Sequence, residues 1–301
     1  MSASSAKPHS ARLFIYISWA VILLISDLPN VLFATFTGDA PAWLFWAKVS
    51  ILALLLAACL LSKPLRPIWQ FALVFLVFFL ALAARDWLLN TAFWQGLFSA
   101  EKGFTIAYLG VHIPDTAVAL VVLAVLWLIK RRRVDFFLAK GQLDAPIKPV
   151  PWLAIKTGES WRAFGWIFTA SAGVIILLTV LLGSPLSGET FARALPLLPA
   201  ALLISGLNAF AEESYYRASL FSTLRSLTGD EQVLLMNVVF FGLAHVLAGS
   251  PPGLLGFALT GFLAFLLGKG MLETRGMVWP WLMHFVPDVF IFFSYALYWM
   301  A

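Results

Sequence analysis

Leu195-Pro-Leu-Leu-Pro-Ala-Ala-Leu-Leu-Ile-Ser-Gly-Leu-Asn-Ala-Phe210 runs without a charge into Ala211-Glu212-Glu213-Ser214-Tyr215-Tyr216-Arg217, and Ala218, Leu220 and Phe221 follow. Three formal charges therefore sit inside one of the most apolar regions of the chain. An ionisable side chain at bilayer depth costs about 2.5–3.5 kcal/mol even on lenient insertion scales, so it marks a functional site unless something neutralises it. The surrounding composition says that the bilayer is the solvent. Hydrophobic residues make up 61% of the 301 and charged residues only 12%, with a mean hydropathy of +0.91. Soluble domains carry about 25% charged residues, so the sequence predicts an all-α integral membrane protein with no room for a sizeable soluble domain.

Working outward, apolar stretches of spanning length occur at about 12–36, 42–61, 67–89, 114–129, 161–182, 191–224, 231–248, 252–272 and 277–300. Each can cover the ~30 Å hydrocarbon core, which predicts nine transmembrane helices. Ser26-Asp27-Leu28-Pro29 interrupts the first, and no small-residue cleavage site follows its apolar run, so it reads as a retained helix kinked at Pro29. Met1–Ser10 reads as a polar, disordered start, and Thr91–His112 as an interfacial or re-entrant segment. Cys59, the single cysteine, excludes a disulfide framework and reads as a small packing residue.

Basic residues test the count. Lys7, Arg12, Lys63, Arg66, Lys130 to Arg133, Arg225, Lys269 and Arg275 all fall on one side when nine spans alternate, whereas the loops at 38–41 and 183–190 carry few. This predicts a cytoplasmic N-terminus and an outward C-terminus. The net charge of +5 is then a topology signal, and no nucleic-acid partner is expected. Trp43, Trp46, Trp69, Trp87, Trp161, Trp279 and Trp299 lie near proposed helix ends, as an interfacial belt would place them. Residues 1–134 form a first group of four helices, 135–160 a cytoplasmic loop, and 161–301 a C-terminal bundle holding the chemistry.

Of the four histidines, two share the last four helices with the carboxylates. The pieces read Glu212-Glu213-Ser-Tyr-Tyr-Arg217, Phe241-Gly-Leu-Ala-His245 and His284-Phe-Val-Pro-Asp288. Glu213 and Arg217, four apart, can pair on one helix face, while Glu212 points about 100° away and keeps its carboxylate free. His284 and Asp288 are also four apart, so Asp288 can bond one imidazole nitrogen and orient the other. Counted from the turn at 226–230, Glu212 and His245 reach similar depths and are expected to face each other, with Phe241 walling the His245 ring. His284 and Asp288 count closer to the cytoplasmic side. Asn208, one turn before Glu212, is a candidate for the same cavity. Gly256, Thr260, Ala264 and Gly268 form a small-residue stripe suited to close helix packing.

Other chemistries fit less well. His-Glu-x-x-His is absent, Ile204-Ser205-Gly206 lacks the first glycine of Gly-x-Ser-Gly, and the Gly-Asp pairs at 38–39 and 229–230 stand in loops. A metalloprotease-like use of Glu, His and Asp as metal ligands is the less favoured alternative. A transporter or proton-coupled channel using the same charges, structural hydrogen bonding by the histidines, and a scaffold or immunity protein are the others.

The three pieces, in this order on three of the last four apolar helices, resemble the CAAX-protease and bacteriocin-processing (CPBP) family, the type II CAAX prenyl endopeptidase-like glutamic intramembrane proteases. The resemblance covers about Trp161 to Trp299 and carries nothing about the first four helices. It implies that Glu212, with His245, activates a water, that His284 and Asp288 hold the scissile carbonyl and its oxyanion, and that Glu213, Arg217 and Phe241 support the site. It also implies a membrane-associated protein or peptide as substrate and no cofactor. Asp288 stands where the family has Asn or Asp. An ionised carboxylate cannot donate to an oxyanion, so either Asp288 stays protonated or, the favoured reading, it orients His284 and leaves donation to that imidazole. Pro287, which lacks an N–H, is expected to free the Met283 carbonyl.

Overall fold

The computed structural model describes residues 8–130, 132–183, 187–248 and 251–301. Lys7, Arg131 and residues 1–7 of the start expected to be disordered lie outside these, whereas Pro8 to Ser10 of that start are helical, in the first turn of the helix Pro8–Ile25. The described residues form helices joined by turns and loops, with no strand beyond two isolated bridges, Pro146–Ser160 and Val150–Ile155. Eight helices are long and apolar enough to span a membrane, or nine if one bent pair counts as a span.

That pair is α1 (Pro8–Ile25) and α2 (Leu28–Thr37), bent by 46°. Pro29 is not a kink inside one helix. It occupies the first turn of α2, where its missing N–H has no intrahelical partner to lose. The Ser26 hydroxyl closes the corner by donating to the Leu23 carbonyl and accepting from the Leu28 N–H. Helices α3 (Trp43–Leu61) and α4 (Trp69–Leu89) form an antiparallel pair, and Cys59 is buried between helices.

The segment expected to be re-entrant is two things. A short α5 (Ala92–Leu97) precedes α6 (Phe104–Lys130), which passes straight through Pro114. Proline at 114 cannot donate to the Gly110 carbonyl, and the Trp94 indole N–H on α5 donates to that oxygen instead, at 2.8 Å. A neighbour re-satisfies the freed group, so the span begins ten residues before the proline rather than at it.

Residues 133–160 form a strap across the corner where α12 (Gly253–Thr274) meets α13 (Val278–Met300). Gln142 N–H donates to the Thr274 carbonyl and Met277 N–H to the Ala139 carbonyl, at 2.7 and 3.0 Å. Gly141 allows this approach: it has φ +74°, and a Cβ there would lie 2.7 Å from Thr274 O. The Trp279 indole donates to the Leu143 carbonyl and the Trp161 indole to Glu273. Trp161 and Trp279 are fully buried by these contacts. They are packing residues under the strap and not members of an interfacial belt, whereas Trp43, Trp46 and Trp87 are more than half exposed.

Helix α7 (Trp161–Gly183) packs on α13, where Gly165 faces the Trp279 ring and Gly173 faces Val286. A helical run of 41 residues, Gly188–Thr228, then comprises α8 (Gly188–Ala194), α9 (Leu198–Glu212), a π-helical turn over Glu213–Ala218, and α10 (Ser219–Thr228). It hairpins at Gly229 into α11 (Asp230–Ala248), which pairs extensively with α12. The small-residue stripe makes that contact: Gly256 lies against the His245 carbonyl, Gly268 against Leu234 and Phe221, and the Ala264 carbonyl accepts from Asn237. Small side chains let backbones approach where lipid gives helices no hydrophobic reason to associate.

Candidate active site

The π turn carries the site. Its widened helical phase places Glu213, Ser214, Tyr215 and Arg217 all inside the bundle, and such turns recur at functional positions. Two neighbours hold it. Phe78 of α4 stacks on Tyr215 at 5.0 Å, and Tyr216 packs edge-on to Phe240 and Phe241 of α11. The Ser214 and Ser219 hydroxyls donate to the Phe210 and Tyr215 carbonyls.

Glu213 and Arg217 form the expected pair, with Arg217 Nη1 donating to Glu213 Oε1 and both side chains wholly buried. Among the described residues, Arg217 has no hydrogen-bond partner for Nε or Nη2. Its guanidinium lies 4.4 Å over the centre of the Phe241 ring, whose negative face interacts favourably with it. Phe241 thus walls more than His245: its ring centroid is 4.5 Å from that of His245 and 6.3 Å from that of His284.

The histidines have hydrogen-bond partners other than those that spacing within a helix suggests. His284 is bonded through Nδ1 to Glu213 Oε1 at 2.9 Å, so Glu213, and not Asp288, orients that imidazole. Its Nε2 faces Glu212 Oε2 at 3.5 Å and Asp288 Oδ2 at 3.6 Å. Glu212 and His245 do not touch. Among the described residues no carboxylate lies within 4.0 Å of a His245 nitrogen. His245 Nδ1 instead donates to the Phe241 carbonyl at 2.8 Å, and in the neutral ring this leaves Nε2 as an acceptor. The apparent depth mismatch of His284 disappears because the 41-residue run is about twice what the hydrocarbon core requires. Depths counted from its far end are therefore not depths in the membrane.

Asp288 accepts a hydrogen bond from Asn208 Nδ2 at 2.9 Å. Asn208 thus joins the cluster, as its position one turn before Glu212 suggested. Helix α13 remains continuous through Pro287, and the Trp281 indole ties it to α9 by donating to the Gly206 carbonyl. Glu212 differs from its neighbours. Among the described residues it accepts no hydrogen bond, and its side chain is 17% exposed against 0% for Glu213 and 10% for Asp288.

Residues 193–290 match the family model of the type II CAAX prenyl endopeptidase Rce1-like proteins. This segment is Rce1-like. It begins within α8, ends within α13, and holds Asn208, Glu212, Glu213, Arg217, Phe241, His245, His284 and Asp288. The Rce1-like family is a protease family, and its match agrees with the CPBP resemblance carried by the three motifs. Helices α1 to α7 lie outside the match. Neither a curated protein nor a solved structure matches the chain. Among the described residues, no group of three or more His, Cys, Asp or Glu in the Rce1-like segment or elsewhere has the geometry to hold a metal ion.

Proposed function

We propose that the protein is a membrane-embedded endopeptidase of the glutamic type, hydrolysing a peptide bond of a membrane-associated protein or peptide, with Glu212 as general base. The observation that carries this is the isolation of Glu212. Arg217 and His284 hydrogen-bond to Glu213, and Asn208 to Asp288, while among the described residues Glu212 accepts no hydrogen bond, keeps an exposed edge and stands 3.5 Å from the Nε2 of a His284 ring already oriented by Glu213.

In this reading Glu212 takes a proton from a water, and the oxygen attacks the scissile carbonyl carbon. The His284 Nε2–H, when the ring carries that proton, donates to the developing oxyanion, a role that in preorganised sites contributes about 2.7–4 kcal/mol. As the C–N bond breaks, Glu212 returns its proton to the leaving nitrogen. His245, with Nδ1 occupied by the Phe241 carbonyl, presents Nε2 as a second acceptor for the water. Asp288 and Asn208 brace the His284 side of the cavity. Arg217 and Phe241 fix Glu213. The side of the membrane follows from the basic residues, which favour a cytoplasmic N-terminus and an outward C-terminus.

The test compares membrane proteomes of cells carrying the wild type and Glu212→Ala, scored for new protein termini. Termini present only with the wild type support the reading, and purified Glu212→Ala cleaving those substrates at the full rate overturns it. Flux across proteoliposomes that depends on Glu212, with no cleavage, would move the assignment to transport. A chelator is expected to leave cleavage unchanged, and loss of activity restored by zinc would replace the glutamic mechanism with a metal-assisted one.

A further inference from the structure

Away from the Rce1-like motifs, a cavity of about 660 Å³ opens where α6, α10 and α12 end and α11 begins. Its floor is apolar: Phe137 and Phe221 meet edge to face at 6.1 Å, and both are buried. Its walls are polar, with Lys130, Asp135, Ser226, the Arg225–Asp230 pair and Arg275. We propose that this cavity binds the phosphate headgroup of an anionic phospholipid.

Charge is the first argument. Arg225 is neutralised by a forked pair of hydrogen bonds to both carboxylate oxygens of Asp230. Among the described residues neither Lys130 nor Arg275 has a carboxylate within 4.0 Å, nor do the adjacent exposed Arg132 and Arg133. Asp135 is the one unpaired carboxylate on the walls. With Arg132, Arg133 and the adjacent unpaired Glu231 at the start of α11 counted alike, four unpaired cations stand against two unpaired anions among the described residues. Three helix C-termini and one N-terminus sum to a dipole charge of only about −1, so the helix ends account for part of that excess and leave the rest for an anion.

Depth is the second argument. Trp127 and Leu128, the turn before Lys130, are 63% and 75% exposed on the outer face of α6. A spanning helix with an exposed indole at its end places that ring at the headgroup level, and the cavity mouth lies just beyond it. A phosphodiester tethered to acyl chains sits at this level, and basic pockets between helix ends are where such headgroups bind. Arg275 supplies a planar fork suited to phosphate oxygens and Lys130 a point charge. Arg275 has the left-handed conformation at the end of α12, φ +60°, and is exposed.

The experiment uses the full chain in nanodiscs, exchanging fluorescent phosphatidylglycerol against phosphatidylcholine. The wild type is expected to prefer phosphatidylglycerol. Removing each cation is expected to weaken that preference about fivefold, and Lys130→Gln with Arg275→Gln together about 25-fold. Asp135→Asn is expected to strengthen it about fivefold, a gain that misfolding cannot produce. Arg66→Gln, an exposed basic residue outside the cavity, is expected to change little. An equal loss with Arg66→Gln would show diffuse surface attraction and overturn the proposal. So would displacement of the lipid by equimolar inorganic phosphate, which would make the site one for free phosphate. No gain with Asp135→Asn overturns it as well. None of these outcomes bears on peptide cleavage.

Discussion

The protein holds two clusters of charge among its helices, one partly exposed and one buried, and they are built differently. In the first half, Lys48 of α3 pairs with Asp27 at the α1–α2 corner at 3.0 Å, and Arg85 of α4 pairs with Asp86 and with Asp115 of α6. Every carboxylate there has a Lys or Arg. In the Rce1-like segment, three carboxylates share one arginine, and imidazoles stand where further cations would be expected. Charges inside a bilayer are tolerated when paired. A site that leaves one carboxylate without a permanent counter-charge therefore signals chemistry more sharply than a site that merely holds charge. The first cluster pairs its charges across helices, and the second leaves Glu212 without a hydrogen bond among the described residues.

The sharpest way to break this contrast is Glu212→Gln, which keeps shape and removes the base. Cleavage of a membrane peptide by purified protein is expected to fall about 10²–10⁴-fold, the range for loss of a general base, with thermal unfolding in detergent nearly unchanged. A variant with more than a tenth of wild-type turnover would erase the distinction between the clusters.

Next in size is Arg217→Met. It leaves Glu213 buried without its cation, which typically costs about 3–5 kcal/mol and should appear as a large drop in unfolding midpoint. Glu213→Gln combined with Arg217→Met is expected to recover most of that stability, yet not activity, because His284 then loses the carboxylate that orients it. Equal midpoints for the single and double variants would show that Arg217 acts by packing rather than charge.

Asn208→Ala removes one hydrogen bond to Asp288, worth about 1.5–3 kcal/mol to a charged group. Turnover is expected to fall about tenfold with little effect on substrate affinity, and Asn208→Asp to fall further by adding a carboxylate beside Asp288. Smallest is Asp27→Asn. With a 39% exposed side chain, its pair with Lys48 is discounted toward the surface value of under about 1 kcal/mol. Cleavage should stay at wild-type level, and a marked loss would make the first-half cluster part of the reaction.

Much of this organisation is visible in residue spacing, and the failures have identifiable causes. The Glu213–Arg217 pair follows from a separation of four, and spans such as Trp43–Leu61 and Val278–Met300 follow from hydropathy within a residue or two. The start of α6 does not, because Pro114 and His112 look like a boundary until the Trp94 indole is seen at the Gly110 carbonyl. That contact spans sixteen residues and leaves no local signature. Trp161 and Trp279 look interfacial by position, yet the strap covers them through backbone contacts that no side-chain pattern encodes. The exchange of partners around His284 was illegible for a related reason. Helical spacing ranks contacts within one helix, so it favoured Asp288 at four residues over Glu213 at seventy-one. Only the packing of α9 on α13 reverses that order.

The π turn has one more consequence, for how this stretch tolerates change in length. Ordinary loops absorb a deleted residue at their surface, but a wide turn in mid-helix is itself an extra residue held by its neighbours. Deleting one residue among 213–218 would let the run relax to regular helix, rotating everything on one side of it by about 100° relative to the other. The deletion would leave hydropathy almost untouched and the span intact, while turning Phe221 and Leu224 out of the core that α10 shares with α4. The Rce1-like segment carries its phase as well as its residues, and a single missing residue here should disrupt it more thoroughly than most substitutions.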